Sequence, residues 1–216
     1  MNAADKHLSA MFDADRSLRR AEEAFLESAP PGPLLDILER SFAAAEKLED
    51  DDESVLRILR LVDLAAQLEG EKAVTILLRA LDHHEPSVRV EAGEALLDVA
   101  YDRFKEVGRA IERLLDRKHD GTSMEELPFV LAEIFDPDTL PLIVRFLDHP
   151  SAEVVACAIE ATVQRGDPLA IRALEKLLDD KRRVSLPDVE DAEAPIGDLA
   201  ADAIATLAGE PEDEES

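Results

Sequence analysis

The chain has 216 residues, 46% of them hydrophobic, with one Tyr, seven Phe and no Trp, so any sizeable core must be built from Leu, Ile, Val and Ala. Fifty acids against twenty-four bases give a formal net charge of −26, a field that opposes direct nucleic-acid or membrane-surface binding and favours a basic partner. Cys157 has no partner for a disulfide, no window approaches roughly eighteen consecutive apolar residues, and no apolar run follows a basic N-terminus, which together predict a soluble, cytoplasmic protein.

In chain order, residues 1–32 predict an N-terminal helical cap. Met11, Leu18, Ala21, Phe25 and Leu26 share one side of a helix that "PPGP" at 30–33 interrupts. Its expected role is to cover the exposed core of the first repeating unit, with a detachable partner-binding arm as the alternative. "EDDDES", Glu49 to Ser54, puts five acids in one turn. A calcium loop would need alternate oxygen ligands, a glycine and a closing acid; the stretch instead fits a capped helix start.

Residues 77–100, "LLRALDHHEPSVRVEAGEALLDVA", are echoed from Ile143 by "IVRFLDHPSAEVVACAIEATVQRG". Leucines closing apolar segments recur at Leu48, Leu81, Leu115, Leu147 and Leu178, at intervals of 33, 34, 32 and 31. Asp136-Pro137 and Asp167-Pro168, 31 apart, each place a capping Asp before a Pro suited to a first helical turn. Between the leucines the apolar spacing is helical: Val55, Leu59, Val62 and Ala66; Val88, Ala92, Ala95, Leu96 and Val99; Ile196, Ala200, Ala203, Ile204 and Leu207. No strand-like alternation exceeds a few residues, which predicts an all-α chain.

A two-helix unit of about 33 residues containing "L-D-x-x-x-x-x-V-R-x-x-A-x-x-A-L" resembles the HEAT repeats, most of all the short bacterial type associated with phycobilisome lyases. The likeness is close over 72–100, good over 137–165, partial over 33–68 and 167–208, and weak over 102–135. It implies a right-handed α-solenoid of about five helical hairpins over 33–208, whose second helices line a concave face. The family's Val-Arg pair stands only at Val88-Arg89, against Val55-Leu56, Val154-Val155 and Ile196-Gly197, so the inter-repeat ladder of arginines with acids that the family implies lacks its other arginines.

Residues 179–195, "DDKRRVSLPDVEDAEAP", interrupt the last unit as an insertion loop. Lys181, Arg182 and Arg183 form a basic cluster there, and Arg-Arg-Val-Ser-Leu resembles a basophilic kinase site at Ser185. The plainer expectation is a solvated loop whose bases neutralise nearby acids. Residues 209–216 read as an acidic disordered tail.

Aligned on the Val anchors, the second helices offer one stripe at three offsets. Arg57 and Val90 stand at the first, Leu61, Glu94, Glu160 and Asp202 at the second, and Leu97 and Val163 at the third. These eight residues are the candidate partner-binding set: an apolar groove carrying a line of acids, suited to a basic or amphipathic segment of another protein. The alternative is that the stripe is only the packing surface between units. No phosphate loop, nucleophile elbow or H-E-x-x-H occurs, and His83 and His149 fall at one repeat position as turn residues, so no catalytic residue, metal or cofactor is assigned. The expected function is a non-catalytic protein–protein interaction module or adaptor. Two rivals are an acidic nucleic-acid mimic that inhibits a DNA-binding protein, drawn from the charge, and a bilin-lyase-like enzyme, implied by the resemblance alone.

Overall fold

Local signals set the helix starts. Asn2 opens α1 (Ala3–Glu27) with a reciprocal capping box to Asp5. Asp50 opens α3 (Asp51–Ala66) by accepting from the Glu53 N–H at 3.1 Å, with Asp51, Asp52 and Glu53 in the first turn, so the acid-rich stretch is the capped helix start the sequence predicts. Between them lies α2 (Pro31–Ala45). Further on come α4 (Glu71–Leu81), α5 (Pro86–Asp116), α6 (Ser123–Ala132), α7 (Leu140–Phe146), α8 (Ala152–Arg165), α9 (Ile171–Leu174), flanked by single 3-10 turns, and α10 (Ile196–Ala208). This computed structural model describes residues 2–185 and 192–209; the predicted tail beyond Gly209 and the middle of the insertion lie outside the described residues.

The helices stack as an all-α solenoid. Of the second helices, α3, α5, α6, α8 and α10 each pack on the next; on the other side α2 meets α4, α4 meets α5, and α5 meets α7. Helix α5 belongs to both rows because it bends at Arg103 (φ −135°, ψ 43°) and continues as the first helix of the following pair. Fully buried Phe42, Leu77, Leu96, Leu131 and Phe146 fill the space between rows. Ala65, Ala92, Ala158 and Ala200, also fully buried, hold the positions where helices approach to about 8–10 Å. Enlarging one of them to Leu would overpack the core at a cost of about 1–3 kcal/mol.

The anchor leucines Leu48, Leu81, Leu115, Leu147 and Leu178 lie at or near the ends of first helices. The two proline signals divide. Asp167 accepts from the Leu169 N–H at 2.9 Å and starts a helical turn at Pro168. Asp136-Pro137 lies in a turn and α7 begins only at Leu140, where Asp138 accepts from the Leu140 N–H at 3.0 Å and Thr139 Oγ1 donates to the carbonyls of Leu131 and Ile134. Of the apolar side of α1, Phe25 and Leu26 lie against the core, while Met11 and Ala21 are exposed. No residue of α1 is buried.

Arginines tie helix ends and turns together, one of them, Arg89, from the Val-Arg site and the others from positions outside it. Arg103 donates to the carbonyls of Leu68 (2.7 Å) and Ala66, and Arg165 to that of Ile134 (2.6 Å), each reaching the end of the preceding second helix. Arg89 Nη1 donates to the carbonyls of His83 (3.1 Å) and His84 (2.9 Å). On the matching turn, Arg182 Nη1 donates to the carbonyls of His149 (2.8 Å) and Pro150 (2.9 Å). Arg182 also grips Asp180, and Arg183 pairs with Glu193, so two of the three inserted bases meet acids, as part of a docked structure. That structure is a short antiparallel ribbon, β1 (Arg183–Ser185) on β2 (Glu193–Pro195), with Val184 opposite Ala194 and buried against α8. Gly197 follows it. A Cβ there would stand 2.5 Å from the Leu178 carbonyl, which is why no arginine occupies the position after Ile196.

Candidate functional site

Helix α8 starts where Ser151 Oγ accepts from the Val154 N–H and stops at Gly166 in the left-handed conformation (φ 69°). Val154, Val155, Ala158, Ile159 and Ala161 turn into the core, which leaves Glu153, Ala156, Cys157, Glu160 and Val163 on the open side. Helix α10 presents Leu199, Asp202, Ala203 and Thr206 opposite them. Glu125 of α6 closes one side and Val184 and Ser185 of β1 another, around a cavity of about 630 Å³. Its floor is aliphatic. Its rim holds four carboxyls, Glu125, Glu153, Glu160 and Asp202, and among the described residues none that lines it is basic or aromatic.

Crowded carboxylates shape the electrostatics. Burial raises the pKa of Glu125, and the neighbouring charges of Glu153 and Glu126 push it further. Cys157 is pushed up to about 11, first by burial and then by Glu125, Glu160 and Glu126, which keeps it a protonated thiol rather than a nucleophile. Glu153 is held below the usual carboxylate range by the hydrogen bond it accepts from Ser151 Oγ at 2.7 Å. Along the same row of helices, Glu91 is raised by burial and by Asp63 and Glu94. A cation entering this face would relieve repulsion that the fold itself sustains.

Three of the eight candidate residues, Glu160, Val163 and Asp202, meet at this cavity. Val90 lines a smaller hollow of about 200 Å³ with Arg89, Gly93, Glu126 and Val130, between α5 and α6. Glu94 is exposed on α5, and Leu61 and Leu97 are half-buried against the core. Arg57 is exposed and paired with Glu53 at 2.7 Å. Sequence reasoning missed Glu125, Glu153 and Cys157. Glu153 stands seven residues before Glu160, two helical turns and so the same face, and was open to detection by that spacing. Glu125 was hidden because the third unit has no valine anchor; the buried Met124 takes that place.

Residues 126–185 match the family model for HEAT repeats. Over that segment the chain is similar to HEAT repeats. The matched segment runs from α6 through α8 to β1, so it contains every wall of the cavity except Glu125 and the α10 side. Among curated proteins none matches the chain. HEAT repeats in general mediate protein–protein interaction. His83 and His149 are turn residues here: their Nδ1 atoms accept from the N–H groups of Glu85 (3.1 Å) and Ser151 (3.2 Å). Among the described residues no group of three His, Cys, Asp or Glu side chains is placed to hold a metal ion, and no helix is long and apolar enough to cross a membrane.

Proposed function

We propose that this protein is a non-catalytic interaction module of HEAT-like repeats, and that the groove between α6, α8 and α10 receives a basic or amphipathic segment of a partner protein. The observation that carries the reading is one cavity with an aliphatic floor, four carboxyls at its rim and no base among the described residues that line it. The floor rewards burial of apolar side chains at roughly 25 cal/mol per Å². The rim selects cations and repels acidic competitors, which supplies specificity and speeds encounter. The carboxyl rim, with no aromatic ring among the described lining residues, favours ammonium and guanidinium groups, which donate hydrogen bonds to carboxylates, over quaternary ammonium, which needs aromatic faces. Glu94 and Val90 extend the same row toward the N-terminal helices and would meet the far part of a longer segment.

The test is a titration of a fluorescently labelled amphipathic peptide, leucines on one face and lysines on the other, followed by anisotropy at about 0.1 M and about 0.5 M salt. Saturable binding that weakens at the higher salt yet persists is the expected result. The double variant Glu94→Lys/Glu160→Lys should abolish it with helical content and melting unchanged. Full binding by that folded variant would remove the groove from consideration.

A further inference from the structure

A second surface lies at the other edge of the second helices, on residues the groove does not use. Tyr101, Phe135 and Leu169 follow one another at intervals of 34 residues, the period of the repeat, and are 56%, 68% and 77% exposed. Tyr101 stands near the end of the first segment of α5, Phe135 just past α6, and Leu169 just past α8. Side-chain contacts tie them into one row. Tyr101 Oη donates to the Glu133 carbonyl at 3.1 Å, two residues from Phe135. The Arg165 guanidinium lies 5.0 Å from the centre of the Phe135 ring, and Leu169 follows four residues later.

This edge gathers negative charge from two sources. Helices end here, and C-terminal helix ends carry partial negative charge and carbonyls without helical partners. Asp102, Glu133, Asp136 and Asp167 add carboxylates beside the three apolar side chains. The chain's own arginines already use such ends, Arg103 on the carbonyls of Ala66 and Leu68 and Arg165 on that of Ile134. Among the described residues, no arginine reaches the end of α8 in the same way.

We infer that the Tyr101–Phe135–Leu169 edge is a docking surface for an extended, arginine-bearing segment of a partner protein with an apolar residue at every third position. Stacked helices repeat at about 8–10 Å. Three residues of an extended chain in the polyproline-II conformation make one turn and advance about 9 Å, so every third side chain of such a segment returns to the same face and meets the next apolar step. The intervening arginines face the acids and the helix-end carbonyls. An extended segment also brings free backbone N–H groups to those carbonyls, which a helix, having satisfied its own, cannot do. None of the three side chains lines the groove between α6, α8 and α10 or the hollow between α5 and α6. Since the edge and the groove share no residue, both can be filled at once, and the protein would then join two partners.

The test uses two fluorescein-labelled nonapeptides of one composition, Leu-Arg-Ser repeated three times and a rearrangement with the leucines contiguous, and measures anisotropy with the full chain. The periodic peptide should bind roughly tenfold more tightly, and Phe135→Ser/Leu169→Ser should cost it at least about tenfold with an unchanged circular dichroism spectrum, each factor corresponding to about 1.4 kcal/mol. Glu160→Lys should leave it unaffected. Equal affinity for the two peptides, or no saturable binding by either, overturns the inference. Loss on Glu160→Lys with Phe135→Ser/Leu169→Ser harmless also overturns it, while leaving the groove reading standing. A longer helical peptide with leucines at every seventh position that outbinds the periodic one would overturn the extended form.

Discussion

Arg182 and Arg89 make the same pair of hydrogen bonds on equivalent turns, although one comes from an inserted ribbon and the other from the helix that follows its turn. In α8 the position matching Arg89 is Val155, which is buried, so no arginine there could fold back over the His149–Pro150 turn. The ribbon supplies one from outside. Arg182→Ala should therefore release β1 and unseat one wall of the groove. The lost charge-assisted bonds predict a cost of about 1–2 kcal/mol, or about 2–4 °C of melting temperature per kcal/mol. Faster amide exchange at Val184 and Ser185 is the local sign; unchanged exchange and melting would show that the ribbon is held without Arg182.

Glu125 titrates above an ordinary glutamate because burial and neighbouring carboxylates disfavour its charged form. The folded protein thus holds this proton more tightly than the unfolded chain does, and the ionised group costs stability at neutral pH. That cost disappears as pH falls through the raised pKa. Glu125→Gln should melt about 1–3 °C higher than wild type at pH 7, with the difference gone near pH 4. A variant less stable at neutral pH would contradict the electrostatic account of the groove.

Cys157, at about 11, carries roughly 100-fold less thiolate near pH 8 than a thiol at 9.0. Its reaction with Ellman's reagent should be slower by about that factor than that of a free thiol in a peptide. Glu160→Gln, by removing one of the charges that raise it, should speed the reaction. A native rate equal to that of free cysteine would mean that the α8 wall is far more open than described.

His83 and His149 lie below the ordinary histidine pKa, chiefly because both are buried. The Nε2 atom of His149 lies 3.1 Å from the His119 carbonyl while its Nδ1 accepts from Ser151, an arrangement that suits the neutral ring. The unfolded chain takes up protons near 6.5 while the folded protein resists, so stability present above about pH 6.5 is lost as pH falls through that value toward the folded pKa. Proton NMR should place both rings below 6.5. In His149→Gln the acid-side decline in melting temperature should be shallower than in wild type.

Much of the fold is legible in the sequence because its signals are local. Val88 and Val154 mark inward faces, Asp50 and Asp167 cap helices, and His83 and His149 mark equivalent turns, each within a single helical turn of the residues that reveal it. The features that escape depend on distant contacts. Arg182 lies 33 residues from the His149 carbonyl it binds, and Gly197 is explained only by the carbonyl of Leu178. At the groove, Glu160, Val163 and Asp202 followed from the valine register, whereas Glu125 sits in the unit where Met124 replaces valine. Asp136-Pro137 imitates the motif at Asp167-Pro168, yet the turn at Asp138 and Thr139 delays the helix.

Helix α5 gives the molecule a mechanical seam and a splint. Elsewhere a turn separates one helix pair from the next, so tension applied to the two ends can peel pairs away singly. Between the second and third pairs the backbone runs on through the bend at Arg103, its first segment against α6 and its second against α7. Stretched in an optical trap, Glu71–Ala132 should therefore lengthen in one step where its neighbours yield in shorter ones.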